Sequence, residues 1–247
     1  LGEIHVKSNT IVIGKRFQGP PESGNGGYVC GRLAQSIDAG AAVARLRVAP
    51  PLDTKLEVRD YEGGVALFNG ELVVAEARPA SVSIEVPEPP SYEEAEAASR
   101  SFQGFSAHPF PSCFVCGPDR DAGDGLRIFP GPIDGRDLVA CPWVPDSSLG
   151  SAMGVVSPEF LWAALDCPGG FAFSHPADGT ILLGELQVEL FGEVSVGERC
   201  VLVGWELSHQ GRKHHTATAL FGESGICNGL GLGTWFEVPQ PGTKDTA

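Results

Sequence analysis

Several things are scarce in this 247-residue chain. Basic residues are few, 17 Lys and Arg against 31 Asp and Glu, for a net charge of −14. Such a surface disfavours general binding to nucleic acid or to anionic membranes. No apolar run approaches the roughly 18 residues a membrane span needs. The opening residues LGEIHVKSNT hold no apolar signal core, and the absent initiator Met suggests a trimmed or processed chain. No phosphate-binding glycine loop, Gly-x-Ser-x-Gly elbow or zinc-protease helix occurs. Cys113-x-x-Cys116 has no second such pair to complete four zinc ligands, even with His108 nearby. It reads as two packed thiols, and neither a metal nor a cofactor is expected. The seven cysteines are odd in number and sit mostly in apolar runs, as free thiols do in a reducing, cytoplasmic setting.

Glycine (33) and proline (20) are plentiful, which predicts many turns and short strands. Residues 88–112 change character, from Pro-rich to acidic and Ala-rich and then to HPFPS. They read as a linker with one short helix, Tyr92 to Phe102, capped by Ser91. The linker divides the chain into residues 1–87 and 113–247.

The two parts share a plan. In the first, 24–38 reads as a helix, followed by strands at 41–49, 55–62, 64–72 and 73–80. In the second, GLRIFP and DLVACPWVP read as strands. A helix then starts at Ser157 with Pro158 in its first position, and four long strands follow, with SHQGRKH as a hairpin connection. A helix wrapped by a curved antiparallel sheet, twice over, is an α+β chain of two similar units. It also explains why 160–165 is apolar on every side.

Asp166 closes that apolar stretch, FLWAALDCPGG. A buried carboxylate is costly unless it is paired or used. It either accepts hydrogen bonds from the turn that Pro168 starts, or does chemistry. Asn25-Gly26-Gly27 likewise reads either as an ordinary capped helix start or as a set of open backbone donors.

The plan resembles the hotdog fold, and the whole chain resembles double-hotdog acyl-CoA thioesterases. Members of that family often carry His-Gly-Gly, six residues and an acid at the start of the central helix. Here the first half has Asn25-Gly26-Gly27 and then Ala34, glycines without the acid; the second has Ser157-Pro158-Glu159 and then Asp166, the acid without glycines. The resemblance implies one composite site. Gly26 and Gly27 amides would hold the thioester oxygen, and Asp166 would activate water or attack directly. An acyl-CoA is the implied substrate, without cofactor, and further pairing into a homodimer is open. The family supports its acid with a hydroxyl residue and a Gln from later strands. Neither is placed in this sequence: Gln187 shares a face with Glu185 and Glu189, and either faces solvent with them or orients a water. The Asn25 side chain is placed at the substrate, Trp162 lines an acyl tunnel or packs in the core, and Arg212 and Lys213 meet coenzyme A phosphates or form a solvated hairpin. The alternative is a non-catalytic protein that binds an acyl or other hydrophobic ligand in the same groove, or a decayed enzyme. A hydratase is disfavoured, since no His lies one or two turns from Asp166.

Overall fold

The computed structural model describes residues 9–176 and 179–239. The first half runs β1 (Asn9–Val12), α1 (Gly26–Ala34), β2 (Ala41–Leu46), β3 (Lys55–Tyr61), β4 (Gly64–Asn69) and β5 (Leu72–Pro79). After α2 (Tyr92–Ser99) and β6 (Gly131–Pro132) the plan repeats. It runs β7 (Val139–Trp143), α3 (Pro158–Ala164), a one-turn α4 (Cys167–Gly170), β8 (Gly179–Leu190), β9 (Cys200–Gln210), β10 (Lys213–Phe221) and β11 (Cys227–Pro239).

All strands join one antiparallel sheet, ordered β1-β3-β4-β5-β2-β8-β11-β10-β9-β7-β6. The order is nearly palindromic. In each half the strand after the central helix lies innermost, its last strand pairs with it, and the other two lead outward. The halves meet where β2 pairs with β8, from Ala41 opposite Glu189 to Arg45 opposite Glu185. The curled sheet thereby sets α1 and α3 side by side.

Local chemistry explains the elements. Strand β3 alternates, with Leu56 and Val58 facing inward, and its turn into β4 uses Glu62 and Gly63 at φ 44° and 81°, a pair with the positive φ that tight hairpins require. In α3 every residue from Phe160 to Ala164 is buried, because the sheet covers one side and α1 the other. The aromatic rings of Phe17, Tyr28, Phe114 and Phe160 fill the end of that seam, with Phe17 stacked on Tyr28 at 4.1 Å.

Two expectations need correction. GLRIFP is not a sheet strand: Leu126 and Ile128 donate to the carbonyls of Phe114 and Val115, so this stretch bonds to the loop that opens the second half. The linker helix ends at Ser99, not Phe102. Ser91 and Glu94 form a reciprocal capping box at its start, whereas Phe102 is pulled into an aromatic cluster with Phe129 and Phe171. Ala95 and Ala98 are buried, and α2 packs on the sheet beside β7. No helix among the described residues is long and apolar enough to cross a membrane.

One buried ion cluster makes a prediction. His214 is 7% exposed; its Nδ1 and Nε2 meet Glu206 and Glu237 at 2.9 Å, and it stacks on Phe173 at 3.9 Å. His209 and His175 lie near it. Burial opposes its charge, but the hydrogen bonds to the two carboxylates outweigh burial and raise its pKa. A raised pKa stabilises the fold fully below the unfolded value of about 6.5 and loses that contribution as pH rises through the folded value. His214→Gln is therefore expected to lower the melting temperature most below about pH 6.5, with the gap to wild type narrowing as pH rises through the folded value. A gap that is constant with pH would exclude the charged form.

Candidate active site

Asp166 sits at a break between two helices. Pro168 has no N–H, so the helical bond to Ala164 cannot form and the chain restarts as α4. The Asp166 amide still donates to Ala163, and Gly169 donates back to the Asp166 carbonyl. The hydroxyl of Thr218, from β10, donates to the freed Leu165 carbonyl at 2.8 Å. The carboxylate occupies the N-cap position of α4 but makes no capping bond there, so it does not serve the turn that follows it.

The carboxylate instead faces the other half of the chain. Its Oδ2 accepts from the Gly27 amide and from Asn25 Nδ2, each at 3.0 Å. Asn25 Oδ1 caps α1 by accepting from the Tyr28 amide at 2.9 Å, and Asn25 Nδ2 also lies 3.8 Å from Cys113 Sγ. Asp166 is 3% exposed, and its Oδ1 has no hydrogen-bond partner among the described residues. Burial pushes its pKa up, the Gly27 amide pulls it down, the neighbouring Cys113 raises it and Asn25 lowers it, leaving it at about 7.

The glycines divide their work differently from the expectation. Gly27 does not offer a free oxyanion donor: its amide is committed to Asp166. A Cβ on Gly27 would lie 2.5 Å from Asp166 Cβ and 2.9 Å from the Trp162 carbonyl, and one on Gly31 would lie 2.6 Å from Trp162 Cβ. These two glycines, one turn apart, let α1 and α3 touch. Gly26 is the open one. It lines the cavity beside Asp166, and its amide donates to no described residue.

That cavity holds about 70 Å³ and has almost wholly apolar walls, from Pro20, Phe110, Phe171, Leu182, Leu183 and Trp235. His108 and the sulfurs of Cys113, Cys116 and Cys167 line it too. His108 Nδ1 accepts from the Phe110 amide at 2.9 Å. A second pocket, of about 310 Å³, shares Pro20, Gly26, Leu182 and Leu183 with the cavity. Asn25→Ala is expected to cost about 1–2 kcal/mol, since it removes a helix cap and one of the two donors to Asp166. Chemical denaturation measures this directly, and a loss under about 0.5 kcal/mol would mean that water replaces both bonds.

The remaining candidates lie elsewhere. Trp162 is buried where α3 meets α1 and does not line the cavity. Gln187, on the partly covered face of β8, donates to the Ser81 carbonyl and does not support Asp166. Arg212 donates to the Glu237 carbonyl in the β9–β10 hairpin. Lys213 stands with Arg45 and Arg47 at a surface pocket, where Glu185 and Glu76 already pair with those arginines. Thr218 and Cys167 were not singled out in the sequence, and His108 was weighed there only as a neighbour of Cys113 and Cys116. Thr218 carried one signal, the Thr-x-Thr pattern of Thr216 and Thr218 in a strand that was already assigned.

No family model matches the chain, and no curated protein does. Solved structures do. The TesB protein of Mycobacterium avium subspecies paratuberculosis aligns over 93% of this chain and 92% of its own, with 14% identity and a TM-score of 0.59. A Thermobifida fusca protein assigned as a thioesterase II aligns over 93% and 91%, with 12% identity and a TM-score of 0.59. At such identities the likeness is one of fold, and it spans both halves: the chain has the double-hotdog fold, with two α+β units in tandem.

Proposed function

We propose that this protein hydrolyses an acyl thioester, with coenzyme A as the carrier, in the cavity between its two halves. The observation that carries this reading is the crossing of the seam by Asp166. A buried carboxylate from the second half is held by two donors from the first, with one oxygen left unpartnered in an apolar cavity. Most buried polar side-chain atoms are hydrogen-bonded, so the bare oxygen is available to a ligand.

In this reading Asp166 Oδ1 takes a proton from water as the water attacks the thioester carbonyl. The carbonyl oxygen becomes an oxyanion and lies against the Gly26 amide and the positive end of α1. Gly27 and Asn25 position the carboxylate. The tetrahedral intermediate collapses, the C–S bond breaks, and the thiolate leaves with its electron pair. The apolar walls exclude bulk water and strengthen each of these interactions. The carbonyl enters the small cavity, and the rest of the ligand lies in the second pocket beside Gly26.

The fold relative assigned as a thioesterase II supports this reading, as does the division of acid and glycines between the halves. Binding without turnover is the competing reading. It is favoured by the lack of a supporting pair, since Gln187 donates to the Ser81 carbonyl and Thr218 to the Leu165 carbonyl. A panel of acyl-CoAs of increasing chain length, assayed for released thiol, separates the two. Hydrolysis of at least one member well above its rate in water supports the enzyme. Saturable binding of an acyl-CoA with no thiol released supports the carrier.

A further inference from the structure

Three sulfur atoms converge on the wall of the cavity. Cys113 and Cys116 come from the loop that opens the second half, and Cys167 from the first position of α4. Their Sγ atoms all lie within 4.8 Å of one another, and no residue of the three is more than 6% exposed. The reaction proposed above uses none of them, and bulk packing does not require three thiols at one point.

The spacing suits a metal. Zinc–sulfur bonds of about 2.3 Å in a tetrahedral site put neighbouring sulfurs about 3.8 Å apart, so small side-chain rotations close the triangle. A second observation points to the same place. Asp166, adjacent to Cys167 in sequence, has an unpartnered buried oxygen in this cavity. Asn25 Nδ2 lies between the two groups, 3.0 Å from Asp166 Oδ2 and 3.8 Å from Cys113 Sγ. A donor to a ligating sulfur is the usual outer partner of a thiolate site, tempering its charge.

We propose that Cys113, Cys116 and Cys167 bind one zinc-class divalent cation at the wall of the cavity. Thiolate ligands select zinc over magnesium or calcium. The fourth position faces the cavity. His108 is not suited to fill it: its Nδ1 accepts from Phe110, so in the neutral ring the proton sits on Nε2, which is a donor. A small molecule in the cavity takes that position. Three protein ligands with an open fourth place are the pattern of zinc sites that meet a ligand, and not of closed structural ones. The proposal stands apart from the hydrolytic reading, because its test needs no substrate.

The test is elemental analysis of the full chain, purified under reducing conditions without chelator, followed by stripping and titration with Co²⁺ alone. About one zinc per chain is expected, together with thiolate-to-cobalt charge-transfer absorption that saturates at about one equivalent. Cys167→Ser and Cys113→Ser should each reduce bound metal at least about tenfold, while Cys227→Ser, on β11, leaves it unchanged. The wild-type stoichiometry and cobalt spectrum stand even where a variant folds poorly. Fully reduced wild-type chain that takes up neither ion, metal retained by both Ser variants, or a Cys113–Cys116 disulfide in the isolated chain would each overturn the proposal.

Discussion

Asp166→Asn is expected to lower thioester hydrolysis by about 10²–10⁴-fold, the usual contribution of a positioned general base, with little change in KM. The substitution is nearly isosteric. The Asn carbonyl can occupy the place of Oδ2 and accept from both Gly27 and Asn25, so the seam is retained. The amide then stands where the unpartnered oxygen was, and it cannot take a proton. The variant also removes a buried ionisable group whose charged form burial disfavours, so its melting temperature should equal or exceed that of wild type. Loss of turnover with undiminished stability is an outcome that a structural aspartate would not give. Unchanged turnover would end the proposed role of Asp166, and lost turnover with a collapsed melting temperature would assign the residue to the fold.

Much of this arrangement was legible in the residues because it rests on local chemistry. Ser91 before an acidic, Ala-rich stretch, Pro158 at a helix start and Gly-containing turns between alternating strands each report the backbone conformation in their own neighbourhood. The split between Asn25-Gly26-Gly27 and Asp166 was legible as well, since loss of one half of a pair in each repeat leaves a visible pattern. What escaped the sequence is non-local. GLRIFP has the composition of a strand, but its hydrogen bonds go to Phe114 and Val115, a choice made by the tertiary path of the loop. Cys167 stands 51 positions after Cys116, so no short spacing joins it to the other thiols. Thr218 acts on the Leu165 carbonyl, and nothing in the strand pattern of β10 reports that long-range bond.

The role of Gly27 escaped for a related reason. A Gly-Gly pair at a helix start suggests room for a ligand, but a helical glycine also permits contact between helices, and only the packing partner distinguishes the two. This leads to a second large effect. Gly27→Ala and Gly31→Ala should each destabilise the fold by about 1–3 kcal/mol, the usual cost of overpacking a close contact. The new Cβ atoms would meet the Trp162 carbonyl and Ala163 Cα in the first case and Glu159 Cα in the second. These are backbone atoms that yield only if α1 and α3 separate. At roughly 2–4 °C per kcal/mol for a chain of this size, the loss is visible in a melting curve. Gly26→Ala is the contrasting case, because its Cβ would meet side-chain atoms alone, the ends of Leu183 and Leu46 and, at 3.3 Å, Leu183 Cβ, and no backbone. Stability should therefore fall for 27 and 31 and hold for 26. Activity should divide differently. Gly31→Ala leaves the hydrogen bond from the Gly27 amide to Asp166 untouched at its own position, whereas Gly27→Ala pushes directly on Asp166 Cβ and lengthens that bond. If Gly27→Ala lowers kcat further than Gly31→Ala at equal loss of stability, the seam sets the carboxylate as well as the fold. If the two variants fall together, the seam acts on stability alone.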